Sequence, residues 1–195
     1  LKNTSFAFEF NNINSLKKIL FKEKDIGVVK IEVFRNHEPN KEFLREIRSI
    51  CDKKNIVLIF DECTSGFRNN FGGIYQKYGI NPDLVLFGKA LGNGFPITAC
   101  VGKRNIMENF SKSFISSTFW TERVGFVAGL ATLKEMKRIR SWEKITKLGN
   151  KFRNGLRDIA KSNRLKIDIS GLPALTNYEI KHENSDIYHA FISQE

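Results

Sequence analysis

The chain has 195 residues, 41% of them hydrophobic and 17 of them phenylalanine. That is enough apolar material for one domain, or for one domain and part of a second, and it excludes a disordered polymer. The net charge of +11 comes from lysines scattered along the chain, such as Lys17, Lys22, Lys53 and Lys134, so no specific nucleic-acid partner is expected, and no run of 18 apolar residues offers a membrane span.

Taken in order, Phe6, Phe8 and Phe10 alternate, which is a strand signal. Asn14 or Ser15 then caps a helix carrying Leu16, Ile19, Leu20 and Phe21. Gly27 ends it, and Val28–Val33 reads as a strand. After the Pro39-Asn40 turn, Lys41 to Lys53 is an amphipathic helix with Phe43, Leu44, Ile47, Ile50 and Cys51 at helical spacing. Ile56–Phe60 is the next strand, so strand, helix and strand make a parallel βαβ unit. Phe71 to Tyr78 reads as a short helix, Leu84–Phe87 and Ile97–Val101 as strands, Asn105 to Phe110 as a short helix, and Phe114–Phe119 as extended. Thr121 to Arg138 predicts a long helix whose early residues are small and apolar, as in a buried helix. Trp142 to Ala160 predicts a second one with a basic face, and the Arg138–Ser141 junction between them marks a domain boundary. Residues 1–138 then form one domain and 139–195 another. Leu165–Ile169 and Ala174–Ile180 read as strands, and Ile187–Ile192 as helical.

Cys51, Cys63 and Cys100 are odd in number and widely spaced. They make neither a disulfide framework nor a metal pair, and they point to a reducing, cytoplasmic setting. The first residue is Leu1 and no secretory signal follows, which suggests a piece of a longer protein.

The chemistry concentrates between Asn55 and Gly94. Ile56–Phe60 and Leu84–Phe87 are short apolar runs of the kind buried on both faces of a sheet. Each stops at a charge: Asp61 directly, and Lys89 after Gly88. Ligands of open α/β sheets lie beyond the carboxyl ends of the strands, so this acid and this lysine stand where a ligand belongs. A structural Asp61–Lys89 salt bridge is the alternative reading. Gly66, Gly72, Gly73, Gly88, Gly92 and Gly94 gather at the same ends, where the backbone turns sharply or approaches something closely. A neutral lysine amine is a nucleophile toward an aldehyde, and burial at a strand end favours the neutral form.

FDECTSGFR, then PDLVLFGKALGNGFP, then SSTFW, in that order and spacing, resemble the class III (subgroup II) pyridoxal-phosphate aminotransferases, and within them the glutamate-1-semialdehyde aminomutase-like branch. The resemblance runs from Ile26 to Met136 and more loosely to the end. It implies an α/β fold: part of the three-layer sandwich of the fold type I large domain, followed by the start of an α+β C-terminal small domain. It implies pyridoxal 5'-phosphate as cofactor, a small amino or keto substrate, and a homodimer with shared active sites. By resemblance, Lys89 matches the lysine that holds the cofactor and Asp61 the partner of its ring nitrogen, which keeps the ring protonated as an electron sink. Cys63 stands where the family has an apolar residue packed on the ring. Ser117 and Thr118 match the hydroxyls that bind the cofactor phosphate across the dimer interface, aided by N–H groups at the start of the next helix. Glu62 and Arg68 belong to the same motif and shape the site.

The sequence also departs from the pattern. Glu32-Val33 replaces a Glu-Pro pair, and Trp120-Thr121-Glu122-Arg123 replaces a Ser-Gly-Asn-Pro run. The family's second phosphate loop would lie upstream of residue 1, so weak or no cofactor retention is expected of this chain alone. The implied activity is amino-group transfer, with conversion of glutamate 1-semialdehyde to 5-aminolevulinate as the aminomutase version. A transaminase acting on a sugar or other amine, or a non-catalytic module of the same fold, are the alternatives.

Overall fold

Four short apolar runs form one sheet in the order in which they occur along the chain: β1 (Val28–Glu32), β2 (Val57–Asp61), β3 (Leu84–Phe87) and β4 (Ala99–Gly102). The computed structural model describes residues 3–115, 118–119 and 122–194. β1, β2 and β3 run parallel, and β4 closes the edge antiparallel to β3. The register pairs Glu32 with Asp61, and Asp61 with Leu86. The parallel βαβ unit and the α/β class follow the sequence expectation.

Alternation along the strands sorts the side chains onto two faces. Val29, Ile31, Leu58 and Phe60 lie on one face and are buried. They pack with Leu16 and Leu20 of α1 (Ile13–Lys22) and with Phe43, Leu44, Ile47 and Cys51 of α2 (Lys41–Lys54). Val85, Phe87, Phe67 and Leu91 form a second buried cluster, and Leu133 and Met136 of α4 (Val124–Ile139) pack against it. The other face carries Lys30, Glu32, Val57, Ile59 and Asp61, none of them buried. The expectation that Ile56–Phe60 and Leu84–Phe87 are buried on both faces therefore fails for β2, whose Val57, Ile59 and Asp61 are only partly buried, and holds for β3, where Leu86 alone is partly exposed. The described residues supply one helical layer, and the face bearing Asp61 is open.

Local chemistry sets the element ends. Asn12, rather than Asn14 or Ser15, caps α1, its side chain accepting from the Ser15 N–H. Asn40 caps α2 through Glu42, and Asn55 ends it in the left-handed conformation. Residues 5–9 form no strand, although Phe8 and Phe10 pack onto the core. The expected helix over Phe71 to Tyr78 is a 3-10 turn, Ile74–Tyr78. The short helix after β4 is α3 (Arg104–Met107).

α4 differs most from expectation. Only Gly125 and Gly129 of α4 are buried, and a Cβ on either would lie 3.5–3.6 Å from Phe95 or Ile97. Val124, Phe126, Val127 and Leu130 are 55–66% exposed. The helix packs by its smallest residues and turns its largest outward. Arg140, in the left-handed conformation, links it to α5 (Ser141–Ser162). A two-stranded antiparallel sheet, β5 (Ile167–Ser170) with β6 (Asn177–Ile180), and α6 (Ser185–Gln194) complete the chain. Arg153 of α5 ties this part together by donating to Thr176 Oγ1 and to the carbonyls of Ser170 and Gly171.

Candidate active site

The β2 ladder continues one residue past Asp61, where the Glu62 N–H donates to the Leu86 carbonyl at 2.9 Å. The chain then turns sharply. The Gly66 N–H returns to the Glu62 carbonyl, and a Cβ at Gly66 would fall 2.6 Å from that oxygen and 2.8 Å from the Phe87 ring. Only glycine fits without a shift. Glu62 itself is fully buried. Its carboxylate accepts from the Ser65 hydroxyl and from the Tyr75 N–H, pinning both ends of the 65–75 loop. Burial pushes the Glu62 carboxyl up, and these donors oppose that only in part. Glu62 thus holds the loop in place.

This loop presents Thr64 to Lys89. Lys89 Nζ donates to Thr64 Oγ1 at 2.6 Å, and Arg68 Nε donates to the Thr64 carbonyl at 3.3 Å. Lys89 sits at the start of a 3-10 turn with φ of +42°, a left-handed conformation that L side chains rarely adopt. Its side chain is exposed, not buried as a strand-end position implies, because it borders an open cavity. Gly88 before it is tightly placed: a Cβ there would lie 3.4 Å from both Cys63 Sγ and Thr98 Cγ2.

Asp61 and Lys89 end neighbouring parallel strands, yet they do not pair with each other. Asp61 Oδ2 takes Lys30 Nζ of β1 at 2.8 Å, and Oδ1 accepts the Cys63 N–H at 3.0 Å. Burial would raise the Asp61 carboxyl, but hydrogen bonds from Lys30 and Cys63 outweigh it and hold it below the usual carboxylate range. Burial also raises the Cys63 thiol, helped by its bond to Asp61, while the Lys89 and Lys30 charges pull the other way. Lys30, Asp61, Cys63 and Lys89 therefore form one electrostatically connected group. The structural Asp61–Lys89 salt bridge weighed from sequence is not formed.

Beyond Lys89 opens a cavity of 580 Å³, lined among others by Arg68, Asn93, Thr132, Glu135 and Ser141. Burial lowers the Arg68 guanidinium, and no carboxylate among the described residues pairs with it. Glu135 is turned to Arg138 at 2.6 Å. The cavity is within the size range of small-ligand sites and biased toward anions.

Ser117 lies outside the described residues. Thr118 is an exposed turn residue, and no hydrogen bond or ion pair among the described residues joins it to Lys89. Two N–H groups at the start of α4, which the sequence reading offers to an anion, are already taken. Val124 N–H and Gly125 N–H donate to the Glu122 carboxylate at 2.6 and 2.9 Å. Glu122, in the segment that departs from the family pattern, is the reason.

Sequence reasoning missed two functional candidates, Thr64 and Lys30. Thr64 stands inside the quoted FDECTSGFR motif, and a hydroxyl three residues past Asp61 was its only signal. Lys30 could have been found from strand alternation, which sets it on one face with Glu32, beside Asp61.

Comparison with known proteins bears on the same residues. The family model described as aminotransferase class-III matches residues 36–194. A glutamate-1-semialdehyde 2,1-aminomutase of Campylobacter hominis is 38% identical over 91% of this chain and 41% of that protein. A 3-aminobutyryl-CoA aminotransferase of Cloacimonas acidaminovorans is 31% identical over 94% of this chain and 46% of that one. The FumI protein of Sphingopyxis sp. MTA144, solved as its PLP internal aldimine form, superposes with a TM-score of 0.86 at 25% identity, over 93% of this chain and 45% of its own. The chain thus spans less than half the length of these relatives. The matched residues take in both strand ends and the whole Asn55–Gly94 stretch, and the fold is that of PLP-dependent aminotransferases of fold type I. On this agreement of sequence and fold, the chain belongs to the class-III aminotransferase family.

Proposed function

We propose that this chain carries the lysine and the ring-partner acid of a pyridoxal 5'-phosphate-dependent amino-group transfer site. One observation supports the reading above the others: Asp61 and Lys89 leave adjacent parallel strands into one connected group with Cys63, beside an anion-biased cavity. The donor set suits the cofactor. It offers an amine for an aldehyde, a carboxylate held ionised for a protonated ring nitrogen, and a small, weakly polar thiol between them. When bound, pyridoxal phosphate supplies an aldehyde that takes up amino groups and a ring that withdraws electrons from the substrate carbon.

The chain's own residues do the rest. Lys89 Nζ would hold the cofactor, and its amine would carry a proton to and from the substrate carbon. Thr64 Oγ1 orients that amine. Asp61, held ionised, would serve the ring nitrogen. Ser117 and Thr118 serve the phosphate from the partner subunit of a homodimer. The exposed apolar side of α4, which begins just after Thr118, supports such an interface. Arg68 favours a substrate bearing a carboxylate, as glutamate 1-semialdehyde does, and the reaction is its conversion to 5-aminolevulinate. A second reading, a transaminase with another amine substrate, is favoured by Glu122, which alters the α4 start. The large domain ends at residue 138 and the small domain begins at 139, with the Arg140 break supporting that boundary. Free Cys51, Cys63 and Cys100 suit a cytoplasmic setting.

The test is an absorbance spectrum of the purified chain with excess pyridoxal phosphate, wild type beside Lys89→Ala. A visible band in the wild type that is absent from Lys89→Ala, and that shifts on adding an amine, is the expected result. A visible band of equal strength in both proteins would overturn the assignment of Lys89.

A further inference from the structure

β1 places a lysine where the open face of the sheet would otherwise be apolar or acidic. Val29 and Ile31 point into the core, so Lys30 and Glu32 share the face of Ile59 and Asp61. Lys30 is registered opposite Ile59, and Asp61 lies diagonally across, two residues further along β2. A long side chain spans that diagonal, and Lys30 Nζ rests 2.8 Å from Asp61 Oδ2. With the Cys63 N–H on Oδ1, each oxygen of Asp61 has a donor.

We infer that Lys30 is a resident counter-cation of Asp61 that competes with the cofactor's protonated ring nitrogen for the same carboxylate, and so sets the affinity for the cofactor. This rests on reading Asp61 as the ring partner and Lys89 as the attachment point. Two cations on one carboxylate repel each other, so a ring N–H takes Oδ2 only when Lys30 leaves it. The structure gives Lys30 the means to leave. Its side chain is 54% exposed against 20% for Asp61, and so is held by little besides the ion pair. It also lines a cleft of 390 Å³ with Glu32, Arg35 and His37. Glu32 lies in that cleft, on the same face and two residues on, with only a loose 3.6 Å contact to Arg35. Lys30 passes from Asp61 to Glu32 as the ring arrives. Before that, it keeps the Asp61 carboxylate charged and aimed at the site.

The experiment is a titration of the 195-residue chain with pyridoxal phosphate, followed by absorbance and by quenching of intrinsic fluorescence, for wild type, Lys30→Met and Glu32→Gln. Lys30→Met keeps the length of the side chain and removes its charge. It is expected to bind about fivefold more tightly, equivalent to the roughly 1 kcal/mol of a half-exposed ion pair. Glu32→Gln removes the landing place and is expected to bind more weakly. Lys30→Met binding as the wild type does, or more weakly, overturns the proposal. A second measurement reads the pair without relying on affinity. The acetylation rate of Lys30 by acetic anhydride, followed by peptide mass spectrometry, is expected to rise in Asp61→Asn and also when the cofactor is added to the wild type. If neither wild type nor Lys30→Met binds the cofactor, the chain lacks too much of the phosphate cradle to hold it. The labelling then decides the pair alone, and a Lys30 rate unchanged by Asp61→Asn overturns it.

Discussion

Lys89 is held in a backbone conformation that disfavours it. A left-handed φ costs an L residue about 1–2 kcal/mol relative to glycine, and glycine is plentiful around it at Gly88, Gly92 and Gly94. A lysine that only packed or bridged charges would have no reason to sit there, whereas an amine needed at the tip of a turn does. Lys89→Gly should therefore be more stable than Lys89→Ala by about 1 kcal/mol, although both lose the amine. Urea unfolding of the two variants side by side measures this difference. Equal midpoints would mean that the turn relaxes around any residue and stores no strain. At this scale the sequence was informative for Asp61 and Lys89, because abrupt charges at the ends of apolar strands are visible without coordinates. It was less informative for their partners. The pairing of Asp61 with Lys30, not Lys89, depends on the register of β1 against β2, and the role of Thr64 depends on a loop folded back by Gly66 and Glu62.

Among the elements, Asp83 fastens what the strands alone would leave loose. It precedes β3, is buried, and accepts from the Leu58 N–H at 2.7 Å, Arg48 of α2 at 3.0 Å and Lys103, just before α3, at 2.7 Å. One carboxylate thus joins β2, α2 and the end of β4. Burial raises its carboxyl, but the Leu58 N–H, Lys103 and Arg48 together bring it below the ordinary range. A depressed carboxyl stabilises the fold above the unfolded value, about pH 3.9, and that stability is lost as pH falls through the folded value. Asp83→Asn should cost about 3 kcal/mol at pH 7, since the little-exposed Arg48 keeps only Asp52 as a counter-charge and Lys103 loses its partner. The gap between wild type and variant should close as pH drops below about 4. Denaturant midpoints at pH 7 and pH 3 check both points, and a gap undiminished at pH 3 would assign the effect to packing instead of charge. The β3 strand that Asp83 introduces was read residue for residue, because Asp83 and Gly88 bracket a run with no ambiguity. The α1 cap was not, because the Asn11–Ser15 stretch offers four polar residues able to cap. The choice of Asn12 follows from Ser15 donating to it while the Ser15 hydroxyl accepts the Glu9 N–H. The phenylalanine alternation at Phe6, Phe8 and Phe10 misled for a related reason. Phe8 and Phe10 reach the core without a neighbouring strand to pair their backbone.

In the whole molecule, the helical layer on one side of the sheet contrasts with an apolar surface left open on α4. Gly125 and Gly129 let the helix lie close to Phe95 and Ile97, in the segment that follows Lys89. The same geometry rotates Val124, Phe126, Val127 and Leu130 to the outside, at 55–66% exposure. Covering a half-exposed side chain of this kind contributes roughly 1 kcal/mol, so four of them favour association with a matching surface. A second copy of this chain offers such a surface, and two-fold symmetry would bring the Thr118 turn of each copy along with the start of its α4. Burying four apolar side chains must overcome the repulsion between two chains of charge +11, so association should strengthen with salt. Sedimentation of the wild type at micromolar concentration should show a dimer. Val127→Lys should raise the dissociation constant at least tenfold, because it places an unpaired charge in the covered patch. Circular dichroism should be unchanged, since Val127 is 66% exposed. The same sedimentation coefficient for wild type and variant would show that α4 is not the dimer face. It would also remove the route by which Thr118 reaches a neighbouring Lys89, and the phosphate would then have to be held by residues of the same chain.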